Sequence, residues 1–160
     1  MAPAIVPVTE ELLSAAGAVH ALAWQDSHRA ICSPEFLALH TPERQTAYLR
    51  AELARGKAVF LLTDEAGPGG VVSLWDGLIE NLYVLPERQG RGYGRALLRF
   101  AIARCESPRL WVLSTNDFAY SWSLRSGFFP TGAVQRLSDT LFEREMRYGG
   151  PPRHVQPSTT

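Results

Sequence analysis

The stretch from Leu78 to Arg104, LIENLYVLPERQGRGYGRALLRFAIAR, decides the fold of this chain. It begins with a short apolar run that is typical of a β-strand. Pro86 ends that run, because proline has no N–H to give to a sheet. Three glycines follow within five residues, and beyond them apolar side chains recur at helical spacing. A strand, a glycine-rich turn and a helix start predict an anion site, because the first N–H groups of a helix are free to bind phosphate.

Two common phosphate-binding patterns do not fit these glycines. The P-loop pattern GxxxxGK[ST] needs a lysine after the glycines, and the only lysine of the chain is Lys57. The dinucleotide pattern GxGxxG does not match the GxGxG spacing of Gly90, Gly92 and Gly94. The residues do match QxxGxG, starting at Gln89. Preceded by the strand end LYVLPE, this match resembles the acyl-CoA-binding motif of the GNAT superfamily of N-acyltransferases.

A second region carries the same resemblance. Residues 109–112 (RLWV) are typical of the next strand. Asn116-x-x-Ala119, followed by Gly127-Phe128, is similar to the family's second motif, in which a short helix ends in a GF pair. Residues 20–55 also resemble the opening of one GNAT subgroup, with a tryptophan helix before a PEF and a TPER segment. The resemblance therefore covers most of the chain.

The composition is that of an ordinary globular domain. The chain has 160 residues, 46% apolar and 20% charged, with a formal net charge of zero, so we expect neither nucleic-acid nor anionic-membrane binding. No apolar run approaches the roughly 18 residues of a membrane span, and the N-terminus lacks the features of a signal peptide. Cys32 and Cys105 have no metal-ligand spacing, and the four histidines are scattered. We therefore expect a cytoplasmic protein without a metal site.

Periodicity and end signals predict the other elements. Asp76-Gly77 between two apolar runs indicates a tight hairpin, and Thr41 before Pro42 indicates a helix start. Gly56 is expected to end that helix in a left-handed conformation. The predicted strands are 4–8, 57–63, 71–75, 78–85, 109–113, 128–131 and 141–148; the predicted helices are 10–28, a short one from Ser33-Pro34, 41–56, one from the glycines to about residue 106, and 118–126; residues 64–70 are predicted to be a turn.

This order of elements predicts a single α/β (α+β) domain over residues 1–150, with helices on both faces of a mixed, mostly antiparallel sheet. The strand at 109–113 must run parallel to the strand at 78–85, because a helix joins them. The GNAT-like fold that the chain resembles has one such parallel pair, splayed apart at its C-terminal ends. Residues 151–160 are rich in proline and are expected to be a disordered tail.

The resemblance implies acetyl-CoA as cosubstrate and assigns residues to it. The backbone of Leu82 and Val84 would pair with the pantetheine arm, and Asn116 would contact the arm from the second motif. Arg91 or Arg95 would either reach a phosphate of CoA or lie on a solvated helix face. The N–H groups expected around the pyrophosphate belong to Gln89, Gly90, Arg91, Gly92, Tyr93 and Gly94.

Acyl transfer to an amine needs a base for the amine proton and help for the departing thiolate. Glu80 is the candidate base, because a lone carboxylate in an apolar strand is unexpected unless it is paired or used. The alternatives for Glu80 are a solvent-facing position or a pair with an arginine. Many family members carry this glutamate two residues earlier, where this chain has Leu78, and a shift of two keeps the same strand face.

The family's usual acid is a tyrosine four residues before the GF pair, and this chain has Ser123 there. Ser123 is therefore the second candidate catalytic residue, suited to hydrogen-bonding the sulfur or a water molecule. Tyr120 lies one helical turn earlier and is either the displaced acid or a packing residue. The sequence leaves the identity of the acid open.

A stripe of His20, Trp24 and His28 recurs every four residues along the helix predicted at 10–28. One interpretation is packing and surface. The other is a lining of the acceptor groove, in which an aromatic ring and imidazoles hold an amine. Trp24 and His28 are therefore the candidate substrate-binding residues.

Together these residues predict an N-acetyltransferase that moves an acetyl group from acetyl-CoA to a primary amine of a small molecule or peptide. The alternative is a catalytically weakened acyl-CoA-binding sensor or regulatory domain, which the serine at 123 favours. The sequence contains no basic patch and no nucleic-acid-binding motif, so we do not expect a nucleic-acid-binding module. The sequence does not identify the acceptor amine, and it is compatible with a homodimer.

Overall fold

A computed structural model describes residues 2–149 of the chain. These residues belong to two compact units, Met1–Arg104 and Cys105–Thr160, which are considered in turn. Among the described residues no helix is both long enough and apolar enough to cross a membrane. The tail predicted at 151–160 lies outside the described residues.

The first unit contains an antiparallel sheet in the order β1-β2-β3-β4. A 3-10 turn over Glu10–Leu12 precedes the first helix, so the helix predicted from residue 10 begins three residues later. The elements of this unit are β1 (Ala4–Pro7), α1 (Leu13–His28), α2 (Pro34–Ala38), α3 (Pro42–Ala54), β2 (Ala58–Asp64), β3 (Gly67–Trp75), β4 (Leu78–Val84) and α4 (Tyr93–Ala103).

Local capping chemistry sets the ends of the short helices. The Ser33 hydroxyl accepts a hydrogen bond from the Phe36 N–H at 3.2 Å, and Thr41 accepts one from the Arg44 N–H at 3.0 Å. Gly56, with φ of +98°, directly follows Arg55, the C-cap residue of α3. The helix starts at Ser33-Pro34 and Thr41-Pro42, and the glycine end of α3, are therefore confirmed.

Helices cover both faces of this sheet. Val59, Leu61 and Val71 pack with α1 and α3 in one buried cluster. The alternate residues of β2 face α4, where the rings of Phe60 and Phe100 meet edge to face at 4.8 Å. Residues 59–62 of β2 are all buried and point alternately to the two faces, so the unit has an apolar layer on each side of the sheet.

The turn predicted at 64–70 is wrong, because β3 begins at Gly67 and only residues 65–66 form the turn. Gly67, directly after this turn, has φ of +110° and open space around it, whereas Gly69 and Gly70 are required by close packing. A Cβ on Gly69 would lie 2.6 Å from Arg88 Nη1, and one on Gly70 would lie 2.9 Å from Leu97 Cδ1. β3 therefore packs closely against Arg88, just before the glycine-rich turn, and against α4 itself.

The hairpin at Asp76-Gly77 is confirmed. Both residues have positive φ, +50° and +83°, as the tight two-residue turn requires. It joins β3 to β4 as antiparallel neighbours, with Trp75 opposite Leu78. The helix after the glycines ends at Ala103, a little before the predicted residue 106.

The second unit contains β5 (Arg109–Leu113), α5 (Asp117–Arg125), β6 (Phe128–Arg136) and β7 (Phe142–Tyr148). β7 pairs antiparallel with β5 on one side and with β6 on the other. β6 is longer than the predicted 128–131. Its pairing with β7 is irregular between Pro130 and Val134, which lets the strand continue past the proline and Gly132.

Candidate functional site

The glycine loop, Gln89–Gly94, leads directly into α4. Gly90 and Gly92 both have positive φ, +82° and +81°, and a Cβ on either would meet no atom within 4 Å. The first backbone bond of the helix runs from the Ala96 N–H to the Gly92 carbonyl at 2.9 Å. In the described part of the chain, the N–H groups of residues 90–95 have no acceptor. Six adjacent free donors beside open space fit a phosphate group.

Asp64, at the end of β2, ties the glycine loop to the β2–β3 hairpin. Its side chain is only 3% exposed. It accepts hydrogen bonds from Arg88 Nη1 at 2.7 Å, Tyr93 Oη at 2.8 Å and the Ala66 N–H at 2.9 Å. Arg91 Nη1 lies 3.5 Å from the second carboxylate oxygen. Desolvation alone would raise the pKa of Asp64, but the bond from Tyr93 and the neighbouring donors and charges outweigh it and lower the pKa.

Arg88 is the buried partner of this carboxylate. Its Nη1 also donates to the Gly67 carbonyl at 3.0 Å, and its side chain is 9% exposed. Sequence reasoning missed both Arg88 and Asp64 as site residues. Asp64 looked like the start of a turn, and a buried arginine next to a glycine loop produces no periodic pattern.

β4 contains a bulge next to the candidate base. Ser73 pairs with Glu80 and Val71 pairs with Tyr83, so two residues of β4, Asn81 and Leu82, oppose one residue of β3. Asn81 has φ of +55°, a left-handed conformation that asparagine tolerates better than most residues. The bulge places Glu80 and Tyr83 on the same face of the sheet, although they are three residues apart.

The bulge also bears on the predicted pantetheine contacts. Leu82 lies within the bulge itself, and Val84 is the last residue of β4. The Val84 carbonyl accepts a hydrogen bond from Gln89 Nε2 at 3.2 Å. The glutamine of the QxxGxG pattern therefore ties the start of the glycine loop to the end of the strand.

Glu80 pairs with a lysine and not with an arginine. Lys57 Nζ lies 2.6 Å from Glu80 Oε1 and 2.6 Å from Glu52 Oε1, and the lysine side chain is 9% exposed. Burial alone would lower the pKa of Lys57, but the two carboxylates outweigh it and raise the pKa. The ammonium therefore stays charged at neutral pH. The ion pair uses one oxygen of the partly exposed Glu80 carboxylate.

A polar network continues from Glu52 towards α1. Tyr48 Oη donates to Glu52 Oε1 at 3.1 Å and accepts from Asn81 Nδ2 at 3.1 Å, which holds the bulge against α3. His20, 3% exposed, has Nδ1 at 2.9 Å from Gln45 Nε2. Desolvation lowers the pKa of His20 to about 4. His20 is therefore neutral at pH 7.

The stripe predicted on α1 is part of an aromatic stack. The Trp24 ring lies between the imidazoles of His28 and His40, with centroids at 4.1 Å and 3.6 Å and nearly parallel planes. Both faces of the indole are therefore occupied. A substrate could then contact Trp24 only at the edges of its ring, and His28 is itself partly buried.

The candidate residues of the second unit lie at the start of α5 and within it. Asn116 is the N-cap, and its Oδ1 accepts from the Ala119 N–H at 3.0 Å, so a ligand contact falls to Nδ2. Ser123 is buried, with 2% exposure. The Tyr120 ring lies under the Arg144 guanidinium at 5.3 Å. In residues 2–149 no three metal-ligating side chains lie together.

Comparison with solved structures identifies this architecture. The PaiA N-acetyltransferase of Thermoplasma acidophilum, in complex with coenzyme A, is 21% identical, with a TM-score of 0.73 over 92% of this chain and 100% of that one. YncA of Salmonella typhimurium, with acetyl-CoA, is 18% identical, with a TM-score of 0.63 over the whole of both chains. Apo YjaB of Escherichia coli is 20% identical, with a TM-score of 0.70 over 94% and 99%. These likenesses confirm the predicted GNAT-like α/β fold class.

Sequence comparison gives the family. A search of the curated proteins found no significant match. The model of the acetyltransferase (GNAT) family matches residues 23–128, which include the glycine loop, Glu80 and the whole of α5. Because this match covers more than half of the chain, the chain belongs to the GNAT acetyltransferase family.

Proposed function

We propose that this protein is an acetyl-CoA-dependent N-acetyltransferase that acetylates a primary amine of a small molecule or peptide. The observation that carries the proposal is the row of free N–H groups at residues 90–95, next to glycines whose outer side is open. Coenzyme A supplies a pyrophosphate for such donors and an activated acetyl thioester. We further propose that residues 1–150 form one acyltransferase domain.

The chain's own residues have separate roles in binding. The backbone N–H groups of Gly90, Arg91, Gly92, Tyr93 and Gly94 hold the pyrophosphate, as the start of a helix suits an anion. The Gln89 N–H already donates to the Pro86 carbonyl at 3.3 Å, so Gln89 contributes by holding the start of the loop through its side chain. Leu82 and Val84 offer backbone groups to the pantetheine arm, and Asn116 offers Nδ2. Arg91 is half-exposed and 3.5 Å from Asp64, so it can turn towards a phosphate without breaking a short hydrogen bond.

Glu80 takes the proton of the acceptor amine. The bond from Lys57 fixes the orientation of the carboxylate through Oε1 and leaves Oε2 for the amine. The amine nitrogen then bonds to the acetyl carbon, and the carbon–sulfur bond breaks to release the CoA thiolate. A thiol has an ordinary pKa of about 8.5, so the thiolate leaves with little help from an acid. Ser123 then needs only to hydrogen-bond the sulfur or hold a water molecule.

The acceptor side involves the stack on α1. With both faces of Trp24 covered, an amine would meet the indole edge or the partly buried imidazole of His28. This geometry favours a primary amine with a modest apolar part over a large aromatic acceptor that needs to stack.

A second candidate function is a CoA-binding sensor with weakened turnover. Two observations favour it: the tyrosine of the family position is replaced by a buried Ser123, and the candidate base is already paired with Lys57. Such a sensor would still bind CoA at the glycine loop but would no longer catalyse the proton transfers of the reaction.

A panel of small-molecule and peptide amines, incubated with acetyl-CoA while free thiol is followed, tests the proposal. An acetyltransferase releases CoA at a rate that depends on one class of amine. Tight acetyl-CoA binding without amine-dependent thiol release would favour the sensor. Mass spectrometry of the acetylated product, at nitrogen and not at oxygen, checks the position of the new bond.

A further inference from the structure

The negatively charged side chain of Asp64 lies beside the glycine loop, although that loop is suited to bind an anion. The contacts of Asp64 with the loop explain this arrangement. Asp64 is bonded to the residue before the loop (Arg88), approached by one inside it (Arg91) and bonded to one near its end (Tyr93). Such a set of partners fixes both ends of the loop against the β2–β3 hairpin.

The packing around Arg88 strengthens this attachment. The guanidinium is held by the Asp64 carboxylate and the Gly67 carbonyl, and Gly69 leaves room for it. The Leu85 N–H donates to the Gly69 carbonyl at 2.9 Å, so the chain is also fixed just before the loop. Without the charge of Asp64, a buried arginine would lack its counter-ion and would have to move.

We infer that Asp64 is a positioning residue for the cosubstrate: through Arg88 and Tyr93 it holds the glycine loop in the shape that presents the free N–H groups to pyrophosphate. The inference rests on the proposed function, because it needs CoA at this loop. Asp64 itself touches no phosphate. It acts by neutralising Arg88 and by accepting a hydrogen bond from the Tyr93 hydroxyl.

The sign of one mutational effect distinguishes this role from simple electrostatics. Removal of a negative charge near an anion site should tighten anion binding if charge alone matters. If Asp64 instead holds the loop in shape, its removal should weaken binding. The two accounts therefore predict opposite changes in the dissociation constant of acetyl-CoA for Asp64→Asn.

The test measures the dissociation constants of acetyl-CoA and of S-acetylpantetheine by NMR titration of the full chain. S-acetylpantetheine has the thioester arm but no pyrophosphate. For Asp64→Asn we expect affinity for acetyl-CoA to fall about tenfold, as for the loss of a charged hydrogen bond, and affinity for S-acetylpantetheine to stay within about twofold. Glu10→Gln is the control, because it removes the same charge from an exposed pair with Arg50.

Tighter or unchanged binding of acetyl-CoA by Asp64→Asn would overturn the inference, as would an equal loss with both ligands. If that variant does not fold, Tyr93→Phe decides, because it removes only the hydroxyl: a selective loss of about threefold for acetyl-CoA is expected, and no loss overturns the inference. Failure of the wild-type protein to bind acetyl-CoA would overturn the proposed function, and this inference with it.

Discussion

Lys57 sets the charge environment of Glu80, the candidate base. A carboxylate in an apolar strand raised the hypothesis of a base, and the structure gives that carboxylate a buried ammonium at 2.6 Å. The same lysine holds Glu52, and Arg55 lies 3.3 Å from Glu52, so the four charges of the cluster balance. A balanced, oriented carboxylate is compatible with catalysis as well as with structure. Only the reaction rate separates these two roles.

Glu80→Gln should lower turnover on the true acceptor by about 100-fold or more near neutral pH, the usual effect of losing a general base. Glutamine keeps an oxygen for Lys57, so the fold should survive. The loss should shrink at high pH, where the amine deprotonates without help. Steady-state rates across pH check this, with Glu10→Gln as a matched control. An unchanged rate at neutral pH would assign Glu80 a structural role.

Ser123→Ala should reduce the rate by less than roughly tenfold, below the range for loss of a general acid. A serine hydroxyl is a much weaker acid than a phenol, and the CoA thiolate is a good leaving group. Tyr120→Phe should have a similarly small effect, because the ring packs under Arg144. A loss of about 1000-fold in either variant, with acetyl-CoA affinity intact, would identify that residue as the missing acid.

Local signals in the sequence predict the elements well, and long-range packing explains the misses. The caps at Ser33 and Thr41 and the glycine loop depend on neighbours within a few residues, so the sequence shows them. The early start of β3 depends on Arg88 and on Leu97, which come from a distant part of the chain. No local pattern contains that information.

The same distinction applies to the candidate site. The free N–H groups are a property of the glycine loop alone and were predictable from the pattern QxxGxG. The contacts of Asp64 with Arg88 and Tyr93 join residues 24 and 29 positions apart, so they could not be predicted from a local pattern. The bulge had one signal, an asparagine inside an apolar strand, but its partner Tyr48 lies 33 residues away.

The role of the glycine loop can be tested by adding a Cβ at two glycines that have positive φ, one in the loop (Gly92) and one outside it (Gly56). Gly92→Ala and Gly56→Ala each place a Cβ at positive φ in open space, so each should cost about 1 kcal/mol of unfolding free energy. Only Gly92→Ala should also lower acetyl-CoA affinity, by about tenfold or more, because a methyl group enters the phosphate approach. Calorimetric titration of both variants checks this. Equal affinities would place the cosubstrate elsewhere.

For the protein as a whole, buried His20 predicts how stability depends on pH. Its pKa of about 4 in the fold lies below the ordinary 6.5, so between these values protons bind preferentially to the unfolded chain. Stability should therefore fall as pH falls through that window, by about 2 kcal/mol from this residue at pH 5. His28, whose pKa burial also lowers, adds in the same direction.

Denaturant unfolding at pH 7 and pH 5 measures this dependence. His20→Gln should remove about 2 kcal/mol of the difference between the two pH values. His28→Gln should remove less, because that imidazole is only partly buried. A His20→Gln variant that keeps the full pH dependence would mean that another group takes up the proton.

Calorimetric titration of acetyl-CoA into the full chain, with a melting curve at saturation, tests the central claim most directly. We expect one site per chain and, at about 100 times the dissociation constant, roughly 2.7 kcal/mol of added stability. The shift should be absent with acetyl phosphate, which carries an acetyl group but neither the pantetheine arm nor the pyrophosphate. No heat and no melting shift with millimolar acetyl-CoA, in a folded sample, would contradict the account.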